Sequence, residues 1–244
     1  MLTDATHNAK TAKTADLVEA MILHLAPAKL SGYNVCPFAS AGCTAACLNT
    51  SGRGIMKTVQ EARIRRTVKL FKDRTGFWTE LLNDLRRLEK RAARKGKAPV
   101  ARLNGTSDLP WERMPIPRQA LENAFGDMIA PVHMMHSVTV FDVFPNIQFY
   151  DYTKIPGRKD LPANYHLTFS LSEANEVTAR SELDAGHNVA IVFDNRLPAR
   201  YWGRTVIDGN TSDLRYKDAD NVIVGLTAKG AGKVDATGFV RIAA

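Results

Sequence analysis

His166-Leu-Thr-Phe-Ser-Leu171, Ser172-Glu-Ala-Asn-Glu-Val-Thr-Ala-Arg-Ser-Glu-Leu183 and Val189-Ala-Ile-Val-Phe193 read in succession as strand, helix and strand. The last run is apolar at every position, the pattern of a strand covered on both faces rather than one half-exposed to water. The polar stretch between them reads as a short helix with Ser172 as its cap. A helix joining two strands places them parallel, because a parallel pair needs a long crossover. The same rhythm extends outward. Further strand candidates are Met21-Ile-Leu-His-Leu25, Val100-Ala-Arg-Leu-Asn104, Ile147-Gln-Phe-Tyr-Asp-Tyr152, Val206-Ile207 and Val222-Ile-Val-Gly-Leu226. The fold expected is α/β, a single-domain full or partial (β/α) barrel with parallel strands over residues 18–244, preceded by a frayed or weakly docked arm at 1–17.

Two long helices precede most of those strands. Residues 57–72 carry Ile64, Val68 and Phe71 at helical spacing, and Phe77, Leu81, Leu85, Leu88 and Ala92 form a second stripe ended by Gly96 and Pro99. A further amphipathic stretch runs from Glu112 to Ile129. The net charge of +8 is concentrated here: residues 63–97 hold 13 Lys/Arg and 4 Asp/Glu, or +9, leaving the remainder near −1. That segment, Arg63 to Lys97, is either a patch for nucleic acid or nucleotide phosphates or a solvated helical face. No run of 18 apolar residues exists, so no membrane partner is expected. The N-terminus has no secretory pattern and the cysteine count is odd, so the chain reads as cytoplasmic and reduced.

All three cysteines fall within twelve positions, in Cys36-Pro-Phe-Ala-Ser-Ala-Gly-Cys43-Thr-Ala-Ala-Cys47. Random placement crowds three residues so tightly in only about one chain in a hundred, so the cluster asks for a chemical reason. Three thiolates at one point hold a soft metal or an iron–sulfur cluster and leave a fourth position open. Cys43 and Cys47 stand one helical turn apart, and Gly42 is expected to take a positive φ that turns the thiolates inward. Ser51-Gly-Arg-Gly54 reads as a loop with exposed amides. His24, His133, His136 and His166 are candidate fourth ligands; a Cys3His zinc site is the alternative to an iron–sulfur cluster.

In a parallel sheet, function gathers at the carboxyl ends of the strands. Those ends are polar: Asn104-Gly-Thr-Ser-Asp108, Asp151-Tyr-Thr-Lys154, Ser170-Leu-Ser-Glu173, Asp194, Asp208-Gly-Asn210 and Thr227-Ala-Lys-Gly230. A barrel would collect them around one mouth beside the cysteine loop.

Leu30-Ser-Gly-Tyr-Asn-Val-Cys-Pro-Phe-Ala-Ser-Ala-Gly-Cys-Thr-Ala-Ala-Cys-Leu48 resembles the opening of the gene-product-88 domain family of phage proteins. So do Arg102-Leu-Asn-Gly-Thr-Ser-Asp-Leu-Pro-Trp-Glu112, Gln148-Phe-Tyr-Asp-Tyr-Thr-Lys154, Asn164-Tyr-His-Leu-Thr-Phe-Ser-Leu-Ser-Glu173 and Val206-Ile-Asp-Gly-Asn210. The likeness spans residues 20–240 and implies the cytoplasm of an infected host cell, without itself implying an activity. A more distant resemblance is to radical S-adenosylmethionine proteins, in which three cysteines after the first strand of a partial barrel hold a 4Fe–4S cluster. Six and then three residues separate the cysteines here, wider than is usual in that superfamily. The resemblance implies Cys36, Cys43 and Cys47 as cluster ligands. It implies S-adenosylmethionine contacts from Asn104, Thr106, Ser107 and Asp108, and places Ser170 with the cofactor set. Tyr152, Lys154 and Glu173 would be the catalytic side chains. On this reading the chain is an iron–sulfur protein of radical S-adenosylmethionine type that modifies a nucleic acid or nucleotide. The alternative is a non-catalytic zinc- or thiol-containing phage protein binding nucleic acid or a host protein through its basic helices.

Overall fold

The structure is a computed structural model that describes residues 1–4, 16–126 and 137–243. Its strands are β1 (Thr3–Asp4), β2 (Val18–Ile22), β3 (Ala98–Arg102), β4 (Gln148–Thr153), β5 (Tyr165–Ser170), β6 (Val189–Phe193), β7 (Arg200–Tyr201), β8 (Arg204–Asp208) and β9 (Ile223–Thr227). They join in one sheet in the order β1-β2-β3-β4-β5-β6-β9-β8-β7. Every pair from β2 across to β8 is parallel. The two-residue strands at the margins, β1 and β7, run antiparallel. The α/β sheet of mostly parallel strands expected from the sequence is therefore present. β7 and β8 are joined by Trp202 and Gly203, both at positive φ, the backbone a tight hairpin turn needs.

The strand candidates all appear, the first two of them shifted toward the N-terminus; β3 is Ala98–Arg102 where the sequence predicts Val100–Asn104. The first strand begins at Val18 rather than Met21 because Val18, Ala20 and Ile22 alternate onto one buried face with Val100, Tyr150 and Leu214. Past Ile22 the chain leaves the sheet: Leu23 still donates to the Arg102 carbonyl (2.8 Å), and Ala26 N–H then donates to Thr67 Oγ1 (2.8 Å). The start of the segment read as an arm is docked. Thr3–Asp4 pair with Met21–Ile22, and the Met1 ammonium lies 2.7 Å from Asp84. Residues 5–15 lie outside the described residues.

The helices are α1 (Ala41–Ala45), α2 (Lys57–Lys72), α3 (Arg74–Lys95), α4 (Arg118–Phe125), α5 (Val140–Val143) and α6 (Glu176–Asp184). α3 organises the larger core. Asp73 caps it by accepting from Gly76 N–H at 2.9 Å, and Gly96 ends it in the left-handed conformation. Between those ends Phe77, Trp78, Leu81, Leu82, Leu85, Leu88 and Ala92 are buried against β2 and β3. Each large side chain in that stripe contributes about 1.5–3 kcal/mol by leaving water. α4 starts only after Pro117, while Glu112 belongs to a separate turn at Trp111–Arg113 and pairs with Arg158. α6 covers β5 and β6 through Ala179 and Leu183. Its N-cap is Asn175, not Ser172; the Asn175 side chain instead accepts from Ser172 N–H (2.7 Å) and folds the strand-end loop. No described helix is long and apolar enough to cross a membrane.

The basic segment divides on folding. On α3, Arg86 donates to the Ala124 carbonyl, Arg87 pairs with Asp84, and Arg91 and Lys95 both pair with Glu19 of β2. On α2, Arg63 and Arg66 turn the other way, toward the cysteines.

Candidate metal and cofactor site

The cysteine loop spans the carboxyl ends of the parallel strands. Cys36 Sγ accepts from Ala28 N–H (3.3 Å) and lies 3.8 Å from the Thr106 carbonyl past β3. Asp108 N–H donates to the Val35 carbonyl (2.8 Å), which ties that loop to the same strand end. Cys43 lies in α1, and its N–H donates to the capping hydroxyl of Ser40 (3.2 Å). Cys47 falls outside that turn. The helix stops at Ala45, and Cys47 Sγ accepts from Asn49 N–H (3.5 Å) to cap the 3-10 turn Leu48–Thr50. All three thiols are free and half-buried.

Glu173 anchors this loop from the end of β5. One carboxylate oxygen accepts from Gly42 N–H and the other from Ser40 Oγ, each at 2.7 Å. Gly42 is helical, with no positive φ. Its lack of a side chain serves a close approach: a Cβ there would stand 2.7 Å from Phe239 Cβ and 2.8 Å from Glu173 Oε2. Ser51-Gly-Arg-Gly54 is not an open loop either, since Gly52–Ile55 form a 3-10 turn with Gly54 buried.

Burial pushes the Cys36 thiol up to about 11, helped by the neighbouring Cys47, Asp108 and Cys43 and opposed by the Ala28 N–H. Burial and Cys43 also raise Cys47, against Asn49 N–H, Arg63 and Lys154. The sulfurs therefore lie close enough that ionising one opposes ionising the next. A bound cation would relieve that opposition.

All the expected cofactor and catalytic residues except Glu173 line the same cavity, a space of about 1300 Å3 that all three cysteines line. Asn104 is the hub of its loop: Oδ1 accepts from Ser107 Oγ (2.9 Å), Leu109 N–H (3.0 Å) and Trp111 Nε1 (3.0 Å). Its Nδ2 donates to the Leu109 carbonyl at 2.9 Å. The side chain thus shapes the loop from within. Thr106 donates its hydroxyl to the Leu25 carbonyl (2.6 Å). Asp108 accepts from Thr153 Oγ1 (2.8 Å) and Lys154 N–H (2.7 Å), and burial raises its carboxyl despite both bonds. Lys154 Nζ donates to Ser170 Oγ (3.0 Å) and lies 5.7 Å from the Phe239 ring. Tyr152 has a buried hydroxyl with no partner among the described residues. Arg102 stands 4.9 Å over its ring, and burial drives the phenol well above its ordinary range.

Glu173 touches the cysteine loop rather than the cavity wall. Of the histidines, His24 lines the cavity and His166 on β5 does not, while His133 and His136 lie outside the described residues. Sequence reasoning missed Asn49, Arg102 and Phe239 as parts of this site. Arg102 was within reach, in the run Arg102-Leu-Asn-Gly-Thr-Ser-Asp108. Phe239 arrives on a C-terminal segment that pairs with β6 through Arg241, and no local pattern announces it.

Among the described residues, no group of three or more His, Cys, Asp or Glu side chains is arranged to hold a metal ion. The three thiols are soft, free and half-buried, the donor chemistry that zinc and iron–sulfur clusters both take.

A family model described as Gene product 88 matches residues 1–242. No curated protein and no solved structure matches the chain.

Proposed function

The chain belongs to the Gene product 88 family, and on that premise we propose that it is an iron–sulfur protein of radical S-adenosylmethionine type acting on a nucleic acid or nucleotide. The observation that carries this reading is the meeting of three free thiols with four polar strand ends across one large cavity. The succession of parallel strands supports a partial barrel. From β2 to β6 the sheet grows in one direction, without the reversal of strand order that marks an open doubly wound sheet. Sheets wound one way carry their helices on one face and curl toward the other.

Cys36, Cys43 and Cys47 would hold the cluster. Bound there, such a cluster would supply the one-electron reductant that cleavage of S-adenosylmethionine requires. The protein's own residues bind, orient and exclude water. Glu173 holds the cysteine loop against the end of β5. Asn104 fixes the shape of the loop at Gly105–Asp108, which presents Thr106 and Asp108 toward the cysteines. Lys154, kept in place by Ser170 and Phe239, offers an ammonium at the cavity wall, and Tyr152 supplies a phenol whose proton burial retains. The experiment is anaerobic reconstitution, then dithionite and S-adenosylmethionine, with 5′-deoxyadenosine as the product sought. Its formation, lost when the three cysteines become serine, supports the reading. A colourless protein that keeps stoichiometric zinc and takes up no iron would overturn it.

A further inference from the structure

We propose that His24, Arg63 and Arg66 form a subsite for a phosphate group, and that the cavity's substrate is a phosphorylated molecule of about nucleotide size. This rests on the cavity being the substrate site, as proposed above, but not on the cluster.

The three residues are brought together by the docking of α2 over the end of β2. Thr67 accepts from Ala26 N–H (2.8 Å) and donates to the Arg63 carbonyl (2.9 Å), which pins the helix to the chain just past His24. Arg63 and Arg66, three apart, then line the cavity from one side of α2, and His24 lines it as well. The lining is strongly basic, with seven Lys or Arg against three Asp.

Lys29, Arg53 and Lys229 among those cations are exposed to water, whereas Arg63 is buried and Arg66 half-buried. Arg102 pairs with Asp213 (3.3 Å) and Asp151 (3.9 Å). Neither Arg63 nor Arg66 has a carboxylate within 4.0 Å among the described residues. Arg63 is only 7% exposed; it donates to Asn49 Oδ1, and its Nε has no partner there. His24 Nδ1 is likewise buried and unpartnered. Burial and the arginines Arg63, Arg102 and Arg66 hold His24 down at about 3, so the ring is neutral and adds no charge.

A buried guanidinium without a counter-ion is costly, and its planar fork matches the oxygens of a phosphate. Two such forks suit a phosphate monoester, which carries about −1.5 to −2 at pH 7. A carboxylate would answer only one of them. The depth of Arg63 argues for a small molecule over a duplex backbone. A cavity of about 1300 Å3 also exceeds the roughly 300–1000 Å3 that one ligand occupies, leaving room for a second beside a cofactor.

Calorimetry on the full chain at fixed salt, with adenosine 5′-monophosphate, adenosine, inorganic phosphate and a short single-stranded oligonucleotide, tests this. The monophosphate and inorganic phosphate should bind, with adenosine weaker by about tenfold or more. Arg66→Gln and Arg63→Gln should each weaken the monophosphate by about tenfold, the value of one charge-assisted hydrogen-bonding group. Arg66 is half-exposed, so its variant reads binding without threatening the fold; circular dichroism checks Arg63→Gln. Equal binding of adenosine and its monophosphate, or an unaltered Arg66→Gln, overturns the inference. So does binding of the oligonucleotide without the monophosphate. Phosphate binding that survives in a chain unable to take up iron supports the subsite while overturning the iron–sulfur reading, so the two fail separately.

Discussion

Replacing Glu173 by alanine should loosen the cysteine loop. The carboxylate accepts two hydrogen bonds, from Gly42 N–H and Ser40 Oγ, both 2.7 Å. Ser40 Oγ in turn accepts from Cys43 N–H, so the anchor reaches a cysteine through one hydroxyl. A hydrogen bond to a charged group is worth about 1.5–3 kcal/mol net. The site is half-buried and water replaces part of the loss, so about 2 kcal/mol is the expected cost of releasing the loop. That corresponds to about a thirtyfold rise in the open fraction of the loop. The assay is the rate at which the metal-free protein's thiols react with a disulfide reagent under native conditions, with Cys43 followed by mass spectrometry. Glu173→Gln, whose amide nitrogen cannot accept, should fall between wild type and Glu173→Ala. Thiol rates unchanged in Glu173→Ala, together with lost turnover, would return Glu173 to the catalytic role the sequence suggested and refute its role as an anchor.

Two further outcomes follow from the packing and the electrostatics. Gly105→Ala should destabilise the fold by about 1–3 kcal/mol, read as a lower urea midpoint; its Cβ would stand 2.6 Å from both the Leu23 carbonyl oxygen and His24 Nδ1, and an unchanged midpoint would contradict that closeness. Burial raises Asp151 to about 7, against Arg102, Asn104 N–H and Tyr165. Between about pH 4 and pH 7 the folded protein therefore holds a proton that the unfolded chain has lost, and stability falls as pH rises through that window. Asp151→Asn should flatten the fall, and a variant with the full slope would assign it to another group.

What the sequence discloses and what it conceals divides by the range of the interaction responsible. β6 is legible because Val189 to Phe193 are apolar without a break, and α2 runs from Lys57 to Lys72 as its periodicity predicts. β1 and β7 are two residues each, too short to carry a pattern. Gly42 looks like a turn former, yet its partners Phe239 and Glu173 come from distant chain, so only the fold reveals that it makes room for them. Glu173 was placed correctly at a strand end, but position could not say whether its carboxylate faces a ligand or a backbone amide. The basic run at 63–97 read as one feature. Glu19, on a strand far back in the chain, takes up Arg91 and Lys95, while Arg63 and Arg66 reach the cavity.

The central claim is that Cys36, Cys43 and Cys47 hold an iron–sulfur cluster. Iron and acid-labile sulfide should be counted on the anaerobically reconstituted chain beside its triple cysteine-to-serine variant. The account predicts about four of each per wild-type chain, with broad visible absorption, and none in the variant. Iron-free wild-type protein, or equal loading of the variant, would contradict it.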